Sequence, residues 1–130
     1  ITKGMKGKEL TDMEALRAQG AAGFTDDGVP IMDVKLLMKA MEMAKKLDVP
    51  LSFHEEDPGF IINNGINRGA VSEALGIGGS PRVAEDSLVA RDCMIALYTG
   101  ACVNVQHISS KNAVATVALA RSWAPMCGRR

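Results

Sequence analysis

Three short apolar runs alternate with amphipathic helical patterns along this chain. The runs are residues 21–25, 51–53 and 102–106, and their length and flanking turn residues are typical of buried strands. Residues 33–47 and 80–99 instead carry apolar side chains at helical spacing. The order predicts a β-α-β-α-β-α chain with parallel strands, in a sheet or a barrel.

Most of the predicted helices begin at a recognisable signal. Asp33 and Ser110 are placed to cap two helices, and Ser80-Pro81 has the order of an N-cap followed by a first helical residue. Residues 11–14 have the spacing of a capping box, which predicts a short helix to about Gln19. A further short helix is expected near residues 71–75.

The first residues look like the end of a strand rather than the start of a domain. Residues 1–4 begin with Ile1 and carry no helix signal, so we expect the chain to begin inside a domain. A complete (β/α)₈ barrel needs about 250 residues. With 130 residues, this chain could supply only about half of one.

Composition narrows the class of protein. The chain has 47% hydrophobic and 23% charged residues, with 15 basic and 15 acidic side chains, so nothing in its charge favours a nucleic-acid or anionic-membrane partner. Its apolar runs are too short for a bilayer and it has no signal-peptide layout, so we expect a cytoplasmic protein. Cys93, Cys102 and Cys127 form no C-x-x-C pair, which favours reduced thiols, and we interpret the first two as core residues.

A potential metal ligand follows each predicted strand. Asp26-Asp27 follows the first, His54 the second and His107 the third. Each has an ordinary alternative, as a turn residue, a cap or a buried histidine. Their joint placement favours a metal site, because the carboxyl ends of parallel strands meet at one edge and such ligands suit a catalytic zinc.

Two neighbouring segments have other interpretations. Glu55, Glu56 and Asp57 could support the ligands or lie near a helix start, and we expect at least two of them to be solvated. Residues 76–80 are rich in glycine and precede a helix, which suggests a phosphate site as an alternative function. They lack the Lys-Ser/Thr of a P-loop, so a flexible loop is the favoured interpretation.

Five motifs together resemble the dihydroorotase family of the amidohydrolase superfamily, over residues 1 to about 122. They are Phe24-Thr25-Asp26-Asp27-Gly28, Ser52-Phe53-His54-Glu55-Glu56-Asp57-Pro58, Asn64-Gly65-Ile66-Asn67-Arg68-Gly69, Ala90-Arg91-Asp92 and Gln106-His107-Ile108-Ser109-Ser110. The resemblance implies a metal-dependent enzyme of pyrimidine biosynthesis that interconverts N-carbamoyl-L-aspartate and dihydroorotate. It also implies an α/β fold, here a partial (β/α)₈ TIM-type barrel of about three to four βα units in residues 1–122.

By the same resemblance, the site would hold one or two zinc ions. Asp27 matches the residue that bridges two metals, a place that some relatives fill with a carboxylated lysine. His54 and His107 match the ligands of the second metal. Glu55 stands where many relatives have cysteine, which we interpret as a tolerated variant.

Other family features are absent from this sequence. Relatives carry an upstream His-x-His with a substrate-binding arginine, and a downstream aspartate that is both ligand and general base. We therefore expect the isolated chain to be inactive and, because its border strands lack neighbours, to self-associate. The alternative is a catalytically dead amidohydrolase-like domain with a binding or regulatory role, and the neighbouring coding sequence distinguishes the two.

The family pattern stops after Ser122. Relatives continue with a sequence such as Ser-Leu-Gly-Ala-Asp-Val-Trp-Ala-Glu, and one deleted base in codons for that sequence yields residues 122–130 as they stand here. We expect a frameshift in the gene or its record, which resequencing would test. Residues 123–130 are then a frayed, out-of-frame tail with no role for Cys127.

Overall fold

The structure is a computed structural model, and it describes residues 1–63 and 65–124. In chain order the elements are α1 (Met13–Ala18), β1 (Phe24–Thr25), α2 (Val34–Leu47), β2 (Leu51–Phe53), α3 (Ala70–Ala74), α4 (Val83–Thr99), β3 (Val103–Val105) and α5 (Lys111–Trp123). Short 3₁₀ turns lie at Lys3–Met5 and Pro58–Phe60. The predicted alternation of strands and helices is confirmed.

The three strands form one parallel sheet in the order β1-β2-β3. Phe24 pairs with Leu51, and Leu51 pairs on its other side with Val103. The described residues thus form three βα units, with β1 and β3 at the edges of the sheet. Because the strands run in the same direction, their carboxyl ends lie at the same edge.

One face of the sheet is apolar and covered by helices, whereas the other is polar. Alternate residues of a strand point to opposite faces, and Leu51 and Phe53 are buried on the covered side. The buried side chains of α2 in the same core are Leu37, Ala40, Met41 and Ala44. The opposite face carries Thr25, Ser52 and Asn104. A second, smaller core joins α4 to α5 through Val89, Cys93 and Ala113.

The helix starts confirm some predicted caps and correct others. The side chains of Asp33 and Ser110 cap α2 and α5 as predicted. The capping box is wrong, because Asp12 caps α1 while the Thr11 hydroxyl donates to the backbone of Ile1. The cap at Ser80 is also wrong, since α4 begins at Val83 and the Ser80 hydroxyl donates to Glu56.

Three further expectations differ from the structure. Residues 1–4 form no strand, because Thr2 makes only an isolated antiparallel bridge to Leu10 before the 3₁₀ turn. Cys93 is buried as expected, but Cys102 is exposed, because it lies before β3 rather than in the core. Helix α5 continues through Trp123, the first residue of the expected tail, and residues 125–130 lie outside the described part of the chain.

The helices show no membrane-spanning candidate. Within residues 1–63 and 65–124, none is both long and apolar enough to cross a bilayer.

Candidate metal centre

Asp27, His54 and His107 come together at the carboxyl edge of the sheet. Each offers one ligand atom, and these atoms all lie within 4.8 Å of one another. Asp27 and His107 are exposed and His54 is half-buried, so the cluster is open to solvent. The predicted convergence of the three residues is therefore observed, while metal binding itself remains a prediction.

The two histidines are in direct contact. His54 Nδ1 lies 2.9 Å from His107 Nε2, and the rings meet edge to face with their centroids 4.7 Å apart. Imidazole nitrogens that face each other this closely need a proton or a cation between them, because two lone pairs would repel. This pair therefore places two candidate nitrogen ligands together at the ends of neighbouring strands.

His107 adopts a backbone conformation that non-glycine residues rarely use. Its φ is +36°, in the left-handed region. A regular strand would alternate faces, so His107 would point away from the side on which Gln106 lies. The left-handed turn lets His107 reach His54 instead, and such strain is often found at functional sites.

The two neighbouring aspartates have different roles. Asp26 is 2% exposed and accepts hydrogen bonds from the backbone amide and the hydroxyl of Thr2. Asp27 is exposed and points toward the two histidines. The structure thus assigns the structural contact to Asp26 and leaves the carboxylate of Asp27 free for a ligand.

Glu56 lies beside His54, on the side away from His107. Its Oε2 lies 3.7 Å from His54 Nε2, and its Oε1 accepts a hydrogen bond of 3.0 Å from Ser80 Oγ. A carboxylate beside the second nitrogen of a ligating histidine orients the ring and raises its basicity. Glu56 is placed for this role, which was one of the two alternatives from the sequence.

Glu55 is buried beside Asp92, so it is not one of the solvated charges. Burial, followed by the neighbouring charge of Asp92, raises the pKa of the Glu55 carboxyl to about 9. Arg91 pairs with Asp92 and also donates to the backbone of Ile31. Within the described residues, Glu55 Oε1 and Asp92 Oδ2 are buried without a hydrogen-bond partner.

The loop after His107 is held by the first turn of α4. Glu85 accepts hydrogen bonds from the backbone amides of Ser109 and Ser110, at 3.0 and 2.8 Å. Asp86 accepts a hydrogen bond from the Ser110 hydroxyl. These contacts fix the segment that carries His107, and no sequence signal pointed to them because they join residues far apart in the chain.

The cluster opens into a cavity of about 170 Å³. Its walls include His54, His107, Glu56, Asn67 and Ser109. The cavity therefore places the Asn67 side chain beside the candidate ligands.

The glycine-rich segment has a packing role. A Cβ on Gly79 would lie 2.5 Å from the Arg68 backbone, so only glycine permits this close approach. The amide of Ser80 donates to Ile66 and is not free for an anion. These contacts count against the phosphate-binding alternative.

The donor set fits zinc. Two ligands that are each about 2.1 Å from one zinc ion lie at most about 4 Å apart, so a separation within 4.8 Å requires only small side-chain rotations. Two imidazoles and one carboxylate are ligands that zinc commonly takes, and three protein ligands leave a position open for water or substrate.

Fold and site together define an α/β protein with candidate metal ligands at the carboxyl ends of parallel strands. The family model described as "Dihydro-orotase-like" matches residues 1–113. The chain therefore belongs to the dihydroorotase-like family.

Curated relatives support the same assignment. Over 121 residues, which is 93% of this chain and 29% of the relative, the sequence is 60% identical to "Dihydroorotase" of Clostridioides difficile (strain 630). It is 44% identical to "Dihydroorotase" of Aquifex aeolicus (strain VF5), over 111 residues that make up 85% of this chain and 26% of the relative. The chain thus spans less than a third of the length of the curated relatives it matches.

Proposed function

We propose that this chain forms part of the zinc centre of a dihydroorotase, built on a (β/α)₈ barrel. The parent enzyme would interconvert N-carbamoyl-L-aspartate and dihydroorotate in pyrimidine biosynthesis, in the cytoplasm. The observation that carries the proposal is the convergence of Asp27, His54 and His107 at one sheet edge. Family membership supports it, because the matched relatives bear the name dihydroorotase.

Each residue would have a distinct task at this centre. His54 and His107 would bind one ion through the two nitrogens that now face each other, and Asp27 would bridge to a second ion if two are present. Bound zinc acts as a Lewis acid and lowers the pKa of a bound water to about 7. Glu56 lies 3.7 Å from His54 Nε2, and a small rotation of its side chain would let it accept a hydrogen bond there and leave Nδ1 available as a ligand.

This chain supplies ligands and their supports, but no general base for the reaction. Glu55 borders the cavity, but it is only 4% exposed and its carboxyl lies beside Asp92, so we do not assign it as the base. We propose that a residue outside this chain moves the proton, and that the isolated chain is inactive. One or two zinc ions and a small anionic substrate are the cofactors and ligands implied.

A full-length chimera tests the proposal. The 121 residues of this chain that align with the Clostridioides difficile relative would replace the matching segment of that protein. We expect zinc-dependent cyclisation of N-carbamoyl-L-aspartate, and a roughly hundredfold or greater loss on His54→Ala or Asp27→Asn. A folded but inactive chimera would instead favour the catalytically dead domain.

Asp48→Asn is the matched control for Asp27→Asn. Asp48 is also exposed, but it lies just before β2 and therefore at the opposite end of the sheet. Its left-handed backbone is one that asparagine accepts readily. This variant should retain activity, and an equal loss in both variants would refute the assignment of Asp27.

A further inference from the structure

The side chain of Gln106 joins all three strands of the sheet. Its Nε2 donates to Ser52 Oγ on β2 at 2.8 Å and to Thr25 Oγ1 on β1 at 3.3 Å. Gln106 itself directly follows β3, and its backbone amide donates to the carbonyl of Phe53. One amide group therefore connects three segments of backbone.

These segments are the ones that carry the candidate ligands. Gln106 precedes His107 directly, while Ser52 and Thr25 lie two positions before His54 and Asp27. On a strand, residues two apart share a face, so Ser52 lies beneath His54 on the polar side of the sheet. The hydrogen bonds of Gln106 thus form a cross-link directly below the cluster.

The cross-link is separate from the hydrophobic core. The buried residues Leu51 and Phe53 point to the opposite face, where α2 covers them, whereas Thr25 is exposed and Gln106 and Ser52 are half-buried. Loss of the amide would leave the core packing in place. We expect removal of the amide to change the spacing of the three strand ends instead.

We propose that Gln106 is a positioning residue for the metal centre. By holding Thr25 and Ser52 at fixed distances, it sets the separation of Asp27, His54 and His107 before any ion arrives. This inference rests on the proposed function, since it concerns the same ligands. Groups that hydrogen-bond directly to metal ligands typically contribute about 10–100-fold in metal affinity, and Gln106, which acts through Ser52 and Thr25, is expected at the lower end of that range.

Asn104 provides a matched comparison. It lies on β3, two positions before Gln106 and on the same face, and its Nδ2 donates to the same Ser52 oxygen at 2.7 Å. It makes no hydrogen bond to β1 in the described residues, and it lies three positions before His107. If the polar contacts on this face only stabilised the fold, substitutions of Gln106 and of Asn104 would have similar effects on zinc affinity.

The test is a zinc titration of the full chain against a chromophoric chelator, with Gln106→Met compared with Asn104→Leu. We expect about tenfold weaker zinc binding for Gln106→Met and an altered visible spectrum of the Co²⁺-loaded protein. Asn104→Leu should stay close to wild type, and the metal-free melting temperature should change little in either. Equal zinc affinity for Gln106→Met and wild type would overturn the inference, as would equal losses in the two variants.

A second pair of variants probes the same contact from β1. Thr25→Val removes the acceptor oxygen and should weaken zinc binding, whereas Thr25→Ser retains that oxygen and should restore it. Adding Thr25→Val to Gln106→Met should cause little further loss of zinc affinity, because Gln106→Met already breaks the hydrogen bond that Thr25→Val removes. Fully additive losses would contradict the cross-link. Absence of zinc binding both by the wild-type chain and by the chimera would instead overturn the proposed function, which keeps the two failures distinct.

Discussion

His54 Nδ1 and His107 Nε2 lie 2.9 Å apart, although 53 positions separate the two residues in the sequence. The contact exists because β2 and β3 are adjacent parallel strands and both histidines follow their carboxyl ends. The left-handed turn at His107 completes it by directing the ring toward β2. Strand pairing and one strained residue therefore build the core of the candidate site.

Because the backbone of His107 is strained, we predict that replacing this residue by glycine has different effects on stability and on zinc affinity. A non-glycine residue in the left-handed region costs roughly 1 kcal/mol, which glycine avoids. His107→Gly should therefore keep or raise the free energy of unfolding, by up to about 1 kcal/mol, while zinc affinity falls sharply. Urea denaturation and zinc titration of the same samples would measure both.

His54→Gly is the control for this prediction. His54 is not among the described residues with positive φ, so glycine there brings only added flexibility and should lower stability by about 1 kcal/mol. Both variants should lose zinc affinity. The strain interpretation is wrong if His107→Gly is destabilised as much as His54→Gly.

We predict that the buried carboxyl of Glu55 makes the free energy of unfolding depend on pH. The unfolded carboxyl ionises near its model value of 4.5, whereas the folded one holds its proton to about 9 because burial and Asp92 raise its pKa. Between these values the folded state binds more protons, so stability falls as pH rises, by at most about 1.4 kcal/mol per unit. Glu55→Gln should remove this slope.

Urea denaturation between pH 5 and about pH 9 would measure the difference between wild type and Glu55→Gln. Comparing the two proteins cancels the contributions of other titrating groups. Glu73→Gln, at an exposed position, should leave the slope as it is in the wild type. A parallel pH dependence of wild type and Glu55→Gln would contradict the buried, protonated carboxyl.

We predict that the loop beside the cavity requires glycine at position 79. A Cβ there would meet the Arg68 backbone at 2.5 Å, so Gly79→Ala should break the bridge between Asn67 and Ser80 and cost roughly 1–3 kcal/mol. Hydrogen exchange at the Arg68 and Ser80 amides should accelerate. At Gly78 the nearest contact is Ile62 Cγ2 at 3.5 Å, so Gly78→Ala should leave that exchange unchanged.

The sequence was sufficient to predict the strand ends and the clustering of three side chains beside them. Apolar runs followed by Asp27, His54 and His107 are local patterns, and parallel pairing brings such positions to one edge. Caps at Asp33 and Ser110 were predictable for the same reason, since a cap depends on its immediate neighbours.

Contacts between distant segments could not be predicted in this way. We expected at least two of Glu55, Glu56 and Asp57 to be solvated, and the sequence did not show that α4 buries Glu55 against Asp92. The cross-link at Gln106 depends on the register of β1, β2 and β3, which a single sequence does not specify. The closed barrel likewise remains a proposal, because the described residues form three βα units.

The central claim is that Asp27, His54 and His107 bind zinc, and X-ray absorption at the zinc edge tests it most directly. In the chain loaded with one equivalent of zinc, we predict imidazole nitrogens and carboxylate or water oxygens at about 2.0–2.2 Å. His54→Ala should lose one imidazole contribution. Sulfur ligands at about 2.3 Å, which would identify cysteine, or a spectrum unchanged by His54→Ala, would contradict the assignment.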